Sequence, residues 1–296
     1  MKIATFKHAG ERKVGLVDDS AATVAPFELT AEQAQQGIQY LIELQLAGKS
    51  LPPTGAALGL DEVMLEAPLP RPRRNLFCVG KNYYDHAHEF SSSGFDSSAA
   101  QGAVPEHPIV FSKVPESVTG PGAFIEFDPD VSSAIDYEVE LAVIIGKPGR
   151  GITRENAMDH VWGYTIVNDV TARDLQGRYS QWLIGKSQDT FCPMGPVAVT
   201  RDEIDLADTG VRTWINGEKR QDSNTGLLIF DVPTIIETIA AGVTLLPGDV
   251  IATGTPAGVG IGFKPPRYMV DGDVVRCEID GIGRLENTLK QRNRQG

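Results

Sequence analysis

Hydrophobic positions along the chain fall into short runs that are separated by glycine, proline and acidic residues. Such runs predict strands, and they lie at residues 2–6, 13–17, 75–79, 109–113, 137–145, 161–168, 197–200, 211–215, 250–253 and 274–279. Helical patterns are fewer, and they lie at residues 31–46, 154–160, 172–176 and 232–241. Because long helices do not alternate with the strands, the pattern predicts an α+β, mainly β protein and not a doubly wound parallel sheet.

The segment of residues 67–74 contains three prolines within five positions. Such a segment forms neither a helix nor a central strand, so it is interpreted as a connector. The residues before it hold two strand patterns and one long helix pattern, which Thr30 can cap. The sequence therefore predicts a small N-terminal α/β domain at residues 1–70 and a larger catalytic domain at residues 71–296.

Composition narrows the class of protein. With 296 residues, 41% of them hydrophobic, the chain can bury a core without a structural metal. Its net charge of −12 argues against a nucleic acid or a membrane surface as partner, although one cleft can still bind a small anion. The three cysteines form no CxxC pair, and neither a leader pattern nor an apolar run of membrane length is present. These features predict a cytoplasmic protein.

Acidic residues alternate at the start of one predicted strand. Asp136, Glu138 and Glu140 fall on one strand face, and the strand continues into the apolar residues 141–145. A solvated edge strand is the usual explanation of such alternation, but the apolar continuation indicates burial, where unpaired carboxylates are costly. A hard divalent cation would relieve that cost, and Asp169 can supply a third oxygen. Because no histidine or thiolate accompanies them, the set favours Mg²⁺ or Mn²⁺ over Zn²⁺.

Five stretches of the chain resemble, in order, the fumarylacetoacetate hydrolase superfamily. They are residues 78–89, 136–140, 168–176, 185–187 and 254–260. The resemblance implies a β-sandwich-like roll, a homodimer, and Mg²⁺ or Mn²⁺ held by Glu138, Glu140 and Asp169. The strand pattern selects the same three residues independently.

The resemblance also implies catalytic residues. The family pattern Tyr-x-Asp-His-x-x-Glu falls on His86 and Glu89, where a carboxylate one helical turn from an imidazole can orient it as a base. The active-site lysine falls on Lys186, which could hold developing negative charge. His88 also lies near Glu89 but does not match the family position. The implied substrate contacts are Arg173, Gln176, Thr253 and Thr255, each of which has an ordinary structural role as its alternative.

These residues lead to a hypothesis of hydrolytic carbon–carbon cleavage in a 2,4-diketo acid, such as an acylpyruvate, fumarylpyruvate or a sugar-derived diketo acid. A water activated by His86 and Glu89 would attack the distal carbonyl, and a metal-stabilised pyruvate enolate would leave. The alternative within the family is an oxaloacetate-type decarboxylase or an isomerase of an unsaturated keto diacid. The small anionic keto acid is the predicted partner. Residues 90–107 are longer than in compact family members, and we interpret them as a lid that sets specificity.

Two other patterns in the chain suggest different functions. His86-Ala-His88 followed by an acid resembles a cupin-like metal motif, but Glu89 follows too closely and no later histidine falls in a strand pattern. The run Gly258-Val-Gly-Ile-Gly262 invites a dinucleotide-binding interpretation, but its spacing is not GxGxxG and two prolines follow where a helix should begin. Neither pattern changes the main hypothesis.

Overall fold

The computed structural model describes residues 1–91 and 104–292. Six α-helices lie within these residues: α1 (Ala31–Gln35), α2 (Gln39–Leu46), α3 (Tyr84–Ser91), α4 (Arg173–Arg178), α5 (Leu183–Lys186) and α6 (Val232–Ala240). The strands are β1 (Lys2–His8), β2 (Glu11–Asp18), β3 (Thr23–Pro26), β4 (Leu58–Gly59), β5 (Met64–Glu66), β6 (Leu76–Gly80), β7 (Ile109–Lys113), β8 (Val118–Thr119), β9 (Phe124–Phe127), β10 (Ile135–Asp136), β11 (Val139–Ile145), β12 (Val161–Asn168), β13 (Thr171–Ala172), β14 (Cys192–Thr200), β15 (Gly210–Ile215), β16 (Glu218–Asn224), β17 (Val250–Ala252), β18 (Val274–Ile279) and β19 (Gly283–Gln291).

Two main sheets form the body of the described chain. The larger has the order β4-β3-β2-β1-β14-β12-β11-β17-β6-β7, with β5 beside β1 and β8 beside β14. The smaller has the order β16-β15-β18-β19-β9, and β10 pairs with β13 separately. The prediction of an α+β, mainly β fold is confirmed.

Strand β11 shows why the apolar runs form this core. Val139, Leu141, Val143 and Ile145 point into the core shared with the smaller sheet, because alternate strand residues face opposite sides. Ala142 and Ile144 point to the other face, where residues of the α2 region cover the large sheet. Both faces of β11 are therefore buried, as its nearly continuous apolar sequence predicts.

The predicted helix at residues 31–46 is wrong in one respect, because it is two helices. Gly37 separates α1 from α2 with a φ of +61°, and the amide of Ile38 donates to Pro68 O at 3.0 Å. A Cβ at Gly37 would lie 2.4 Å from the same carbonyl oxygen. A contact with the connector thus interrupts the helical hydrogen bonds, whereas the Thr30 cap is present as predicted.

Three further boundaries differ from the predictions. The helix expected at residues 154–160 is only a 3₁₀ turn at Ala157–His160, because Asn156 Oδ1 accepts from the Thr153 amide. The strand expected at 137–145 begins at Val139, since the Glu138 amide donates to Asn168 Oδ1 and leaves the ladder. Strand β14 begins at Cys192, five residues before the expected start at 197, despite its internal prolines.

The N-terminal strands join the large sheet directly, because β1 pairs with β14 through Lys2 and Ile3. The division of the chain at residue 70 stays a prediction. The three cysteines are buried and form no disulfide. No helix within residues 1–91 and 104–292 is long and apolar enough to cross a bilayer.

Candidate metal centre and active site

Three carboxylates meet where β11 begins and β12 ends. The two strands are antiparallel, with Val139 opposite Asn168, and the Asp169 amide donates to Glu138 O at 2.8 Å. This register brings one carboxylate oxygen from each of Glu138, Glu140 and Asp169 within 4.8 Å of one another. All three side chains are buried. The strand alternation and the chain reversal together build the cluster that the sequence predicts.

Basic side chains surround two of the three carboxylates. Lys186 Nζ lies 2.7 Å from Glu138 Oε2 and 2.7 Å from Asp169 Oδ2. Lys113 Nζ lies 2.7 Å from Asp169 Oδ1, and a terminal nitrogen of Arg173 lies 2.7 Å from Glu138 Oε1. Burial by itself would raise the pKa of Glu138, but Lys186 and Arg173 outweigh it and lower that pKa to about 2. Glu138 is therefore ionised at neutral pH.

Glu140 differs from Glu138 and Asp169 in its hydrogen-bond and ion-pair partners. Among the described residues it has no basic side chain within 4 Å, and its Oε2 accepts the Gly254 amide at 2.8 Å. Burial raises the pKa of Glu140 well above its usual range, and the Asp169 and Glu138 carboxylates raise it further. Without a cation beside it, the Glu140 carboxyl therefore favours its protonated form. A divalent cation fits this set, because hard oxygen ligands would share one positive charge centre.

The predicted base, His86, lies on α3. His86 Nδ1 is 3.4 Å from Glu89 Oε2, and the two residues are one helical turn apart, as the sequence predicts. His88 on the same helix is exposed. A pocket at this site is lined by Val79, Gly80, Lys81, His86, Phe90, Phe111, Glu138, Glu140, Arg173, Gln176, Trp182, Lys186 and Thr255.

Lys186 faces the carboxylates from α5. Burial alone would lower its pKa, but the Asp169 and Glu138 carboxylates outweigh burial and raise it. The side chain is therefore a fixed ammonium, and it can stabilise an anion without acting as a base at neutral pH. Lys186 thus lies beside two of the three candidate metal ligands, and its catalytic role stays a prediction.

The predicted substrate contacts divide into two groups. Gln176 and Thr255 line the pocket. Arg173 also lines it, but its guanidinium already contacts Asp136, Glu138 and Gln176. The Thr253 hydroxyl donates to Leu141 O at 2.9 Å and is fully buried, so it holds the strand end in this structure. All four roles in substrate binding stay predictions.

Sequence reasoning missed two charged residues of the site. Lys113 is fully buried at the end of β7, and it donates to Asp169 Oδ1, to Val170 O and to Lys186 O. Asp136 appeared in the acidic alternation but received no role, although its Oδ2 accepts Arg173 Nε at 2.8 Å. A charged residue that ends an otherwise apolar strand was the available signal for Lys113.

The predicted lid at residues 90–107 falls largely on residues 92–103, which lie outside the described part of the chain. On its described flanks, Phe90 is buried against Trp182, with their rings 6.1 Å apart. The specificity role of the lid stays a prediction.

The fold and the site define a class: mainly β proteins in which buried carboxylates suited to a divalent cation face a histidine–glutamate pair. Residues 75–290 match a family model described as fumarylacetoacetate (FAA) hydrolase C-terminal. The chain belongs to the fumarylacetoacetate hydrolase family, an enzyme family whose members typically use a divalent metal. The match confirms the family resemblance and rules against the cupin-like alternative.

Relatives and solved structures agree with this family. The chain is 51% identical to the oxaloacetate tautomerase YisK of Bacillus subtilis (strain 168) over 231 residues, which are 78% of this chain and 74% of that protein. It is 44% identical to the mitochondrial oxaloacetate tautomerase fahd2 of Xenopus laevis over 249 residues, 83% of this chain and 74% of that one.

Among solved structures, a fumarylacetoacetate hydrolase from Exiguobacterium antarcticum superposes with a TM-score of 0.83 at 43% identity, covering 99% of this chain and 100% of that chain. A 2-hydroxyhepta-2,4-diene-1,7-dioate isomerase from Mycobacterium marinum gives 0.77 at 33% identity, with the same coverage. These names favour the isomerase alternative over carbon–carbon hydrolysis, which they do not confirm for this chain.

Proposed function

We propose that this chain catalyses the keto–enol isomerisation of a small 2-keto dicarboxylic acid, with oxaloacetate as the first candidate. The names of the relatives supply the candidate substrate. The observation that carries the reaction type is the pocket itself, which is lined by one imidazole, by the ammonium of Lys186 and by aromatic rings.

Isomerisation requires one proton to move and no water to be consumed. The C3–H bond of the keto form breaks, a C2–C3 double bond forms, and the keto oxygen gains the proton. His86 can take the proton from carbon and return one to oxygen, since a single base within reach of both atoms suffices. Glu89, 3.4 Å from Nδ1, orients the ring for this transfer.

Charge develops on the keto oxygen while the proton moves. A divalent cation on Glu138, Glu140 and Asp169 would supply Lewis-acid polarisation of that oxygen. Lys186 adds a positive charge that is held in place by Glu138 and Asp169. Because the charge is already fixed before reaction, little reorganisation is needed when the anion forms.

The walls of the pocket favour proton transfer over hydrolysis. The Phe90 ring lies 6.2 Å from the His86 ring, and Trp182 packs edge-on against both Phe90 and Phe111. Apolar rings offer a water no strong hydrogen-bond partner on this side of the base. Hydrolysis requires a water beside the base, so the aromatic wall supports the isomerase proposal. Lys81, which also lines the pocket, adds positive charge suited to a dicarboxylate.

The reaction can be tested by product analysis on one set of substrates. The metal-loaded protein would be incubated with oxaloacetate, an acylpyruvate and fumarylpyruvate, in ordinary and in heavy water. Isomerisation predicts faster loss of the enol absorbance and faster deuterium uptake at C3, with no change in carbon skeleton. Pyruvate and CO₂ from oxaloacetate would establish a decarboxylase instead, and two shorter acids from an acylpyruvate would establish a hydrolase.

The identity of the metal, the oligomeric state and the cellular location are also proposals. We propose Mg²⁺ or Mn²⁺ as the metal, because the ligands are carboxylates alone. We also propose a homodimer in the cytoplasm. Metal analysis after reconstitution, light scattering of the purified protein and fractionation of the source cells would test these three proposals separately.

A further inference from the structure

The glycine-rich run at residues 258–262, which has the wrong spacing for a dinucleotide, contacts two carboxylates with its main chain. We propose that this run, named here the glycine clamp, positions both the proton-transfer pair and the carboxylate end of the metal site. The expected effect of the clamp on the reaction rate rests on the proposed function. Its geometry rests only on the contacts described below.

One end of the clamp holds Glu89. The Gly258 amide donates to both carboxylate oxygens of Glu89, at 3.1 Å to Oε1 and 3.2 Å to Oε2. Glu89 Oε2 is the oxygen that lies 3.4 Å from His86 Nδ1. A main-chain donor therefore sets where this carboxylate sits, and through it the direction of the imidazole.

The middle of the clamp holds Asp136. The Gly260 amide donates to Asp136 Oδ1 at 2.6 Å, and the Ile261 amide donates to Oδ2 at 3.0 Å. The same Oδ2 accepts Arg173 Nε at 2.8 Å, and Arg173 lies 2.7 Å from the metal-site carboxylate of Glu138. Consecutive amides that converge on one carboxylate form an anion-binding concavity.

A side chain at any of these positions would meet a neighbouring atom. A Cβ at Gly262 would lie 1.8 Å from Glu89 Oε1, and one at Gly260 would lie 2.7 Å from Asp136 Oδ1. Gly258 has a φ of +103°, and a Cβ there would lie 1.9 Å from Arg220 O. The absence of side chains lets the main chain approach both carboxylates.

The two side chains between the glycines fix the clamp in place. Val259 and Ile261 are buried in one cluster with Phe90 and Trp182, two of the rings that line the pocket. The Tyr137 hydroxyl donates to Gly258 O at 2.9 Å. The clamp is therefore anchored to the aromatic wall and to the residue that precedes Glu138, so it joins the two halves of the active site.

Gly262→Ala is the sharpest test, because the three atoms nearest to the new methyl group all belong to the Glu89 side chain and none to the backbone. The backbone of Gly262 also needs no positive φ. We expect Glu89 to swing away while the fold is kept. The turnover number should fall about 10- to 100-fold, as for other residues that orient a catalytic group, with metal affinity unchanged.

The matched control is Gly242→Ala, since a Cβ at Gly242 would meet nothing within 4 Å and that residue also has no positive φ. It should keep full activity and the same melting temperature. The decisive comparison is the double variant Gly262→Ala with Glu89→Ala. If the glycine acts through Glu89, the double variant should be no slower than Glu89→Ala alone. A further tenfold loss in the double variant would overturn the clamp.

A spectroscopic measurement separates the clamp from the proposed reaction. With ¹⁵N-labelled histidine, the ring signals of His86 should move in Gly262→Ala in the direction seen in Glu89→Ala, and should stay in place in Gly242→Ala. Unmoved His86 signals in Gly262→Ala would refute the clamp even if the enzyme is an isomerase. Moved signals in a protein without isomerase activity would support the clamp and reject the proposed function.

A second measurement remains if Gly262→Ala does not fold. The amide resonance of Gly258 should shift strongly in Glu89→Ala, because its hydrogen bond to a carboxylate is lost. The amide of Gly242 serves as the reference and should not shift. An unchanged Gly258 resonance would contradict the clamp at its first contact.

Discussion

The two walls of the pocket are built differently. The carboxylate wall stands on β11 and the end of β12, and each of Glu138 and Asp169 contacts two basic side chains at 2.7 Å. The base wall stands on the short helix α3, where a single 3.4 Å contact joins His86 to Glu89. The first wall is held by ion pairs at the strand ends, and the second by the main-chain amide of Gly258, which donates to Glu89.

Because of this difference, substitutions in the two walls should affect different properties of the protein. Buried ion pairs are strongly destabilising when one partner is removed. A histidine held by one hydrogen bond contributes little to stability but much to proton transfer. Variants of the carboxylate wall should therefore alter metal binding and stability together, whereas variants of the base wall should alter only the rate.

The largest effect is expected for Glu138→Ala. The change removes one predicted metal ligand and a partner of Lys186 and Arg173, so metal binding and turnover should both be lost. Metal titration calorimetry and the isomerase assay measure the two losses. Glu126→Ala, at an exposed glutamate on β9, is the control. Full activity of a metal-free Glu138→Ala protein would end the account of this wall.

His86→Ala should lower the isomerisation rate by about 10²- to 10⁴-fold, the usual contribution of a general base. Metal affinity and melting temperature should stay close to those of the unmodified protein, since His86 lies outside the carboxylate cluster. The control is His88→Ala, on the exposed side of the same helix. Equal losses in the two variants, or a large loss of metal affinity in His86→Ala, would contradict the contrast between the walls.

Lys113→Met tests the carboxylate wall without replacing any of the candidate metal ligands. It would leave Asp169 with one basic partner fewer in a fully buried position, which should cost about 3 kcal/mol in the free energy of unfolding. Urea denaturation of the metal-free protein measures this cost. Arg71→Met removes a partner of Glu116 at the surface, where the Arg71 side chain is 81% exposed, and should change nothing measurable.

The smallest expected effect is the pH dependence of metal affinity that the protonation of Glu140 causes. The pKa of Glu140 is raised by burial and by Asp169 and Glu138, so metal binding must displace a proton. Metal affinity should therefore rise with pH, by at most about tenfold per pH unit below the raised pKa. Calorimetry in two buffers of different ionisation heat measures the released proton. A heat of metal binding that does not depend on the buffer, measured at a pH below the raised pKa, would refute this prediction.

Much of the fold was predictable because its strands follow from local sequence patterns. The predicted ranges 109–113, 161–168 and 274–279 coincide with β7, β12 and β18, where β-branched and apolar residues lie between turn residues. The break at Gly37 and the early start of β14 were not predictable in this way. Each depends on a partner far along the chain, namely Pro68 for the break and β12 for β14.

The site was predictable to the extent that it follows from alternation and helical spacing. These rules place Glu138 and Glu140 on one strand face, and His86 one helical turn before Glu89. The family resemblance added Lys186 and the remaining contacts. The reaction itself was not fixed by these residues, since hydrolysis, decarboxylation and isomerisation all use a base beside an enolate-stabilising site.

The sequence by itself determined which residues carry charge and on which local face each lies. Only the tertiary structure decided how those charges are paired, because Lys113 reaches Asp169 across 56 positions and Gly260 reaches Asp136 across 124. Such pairs depend on sheet order and loop approach, which local periodicity does not encode. The glycine clamp is the clearest case, since its function lies in main-chain amides and in the absence of side chains.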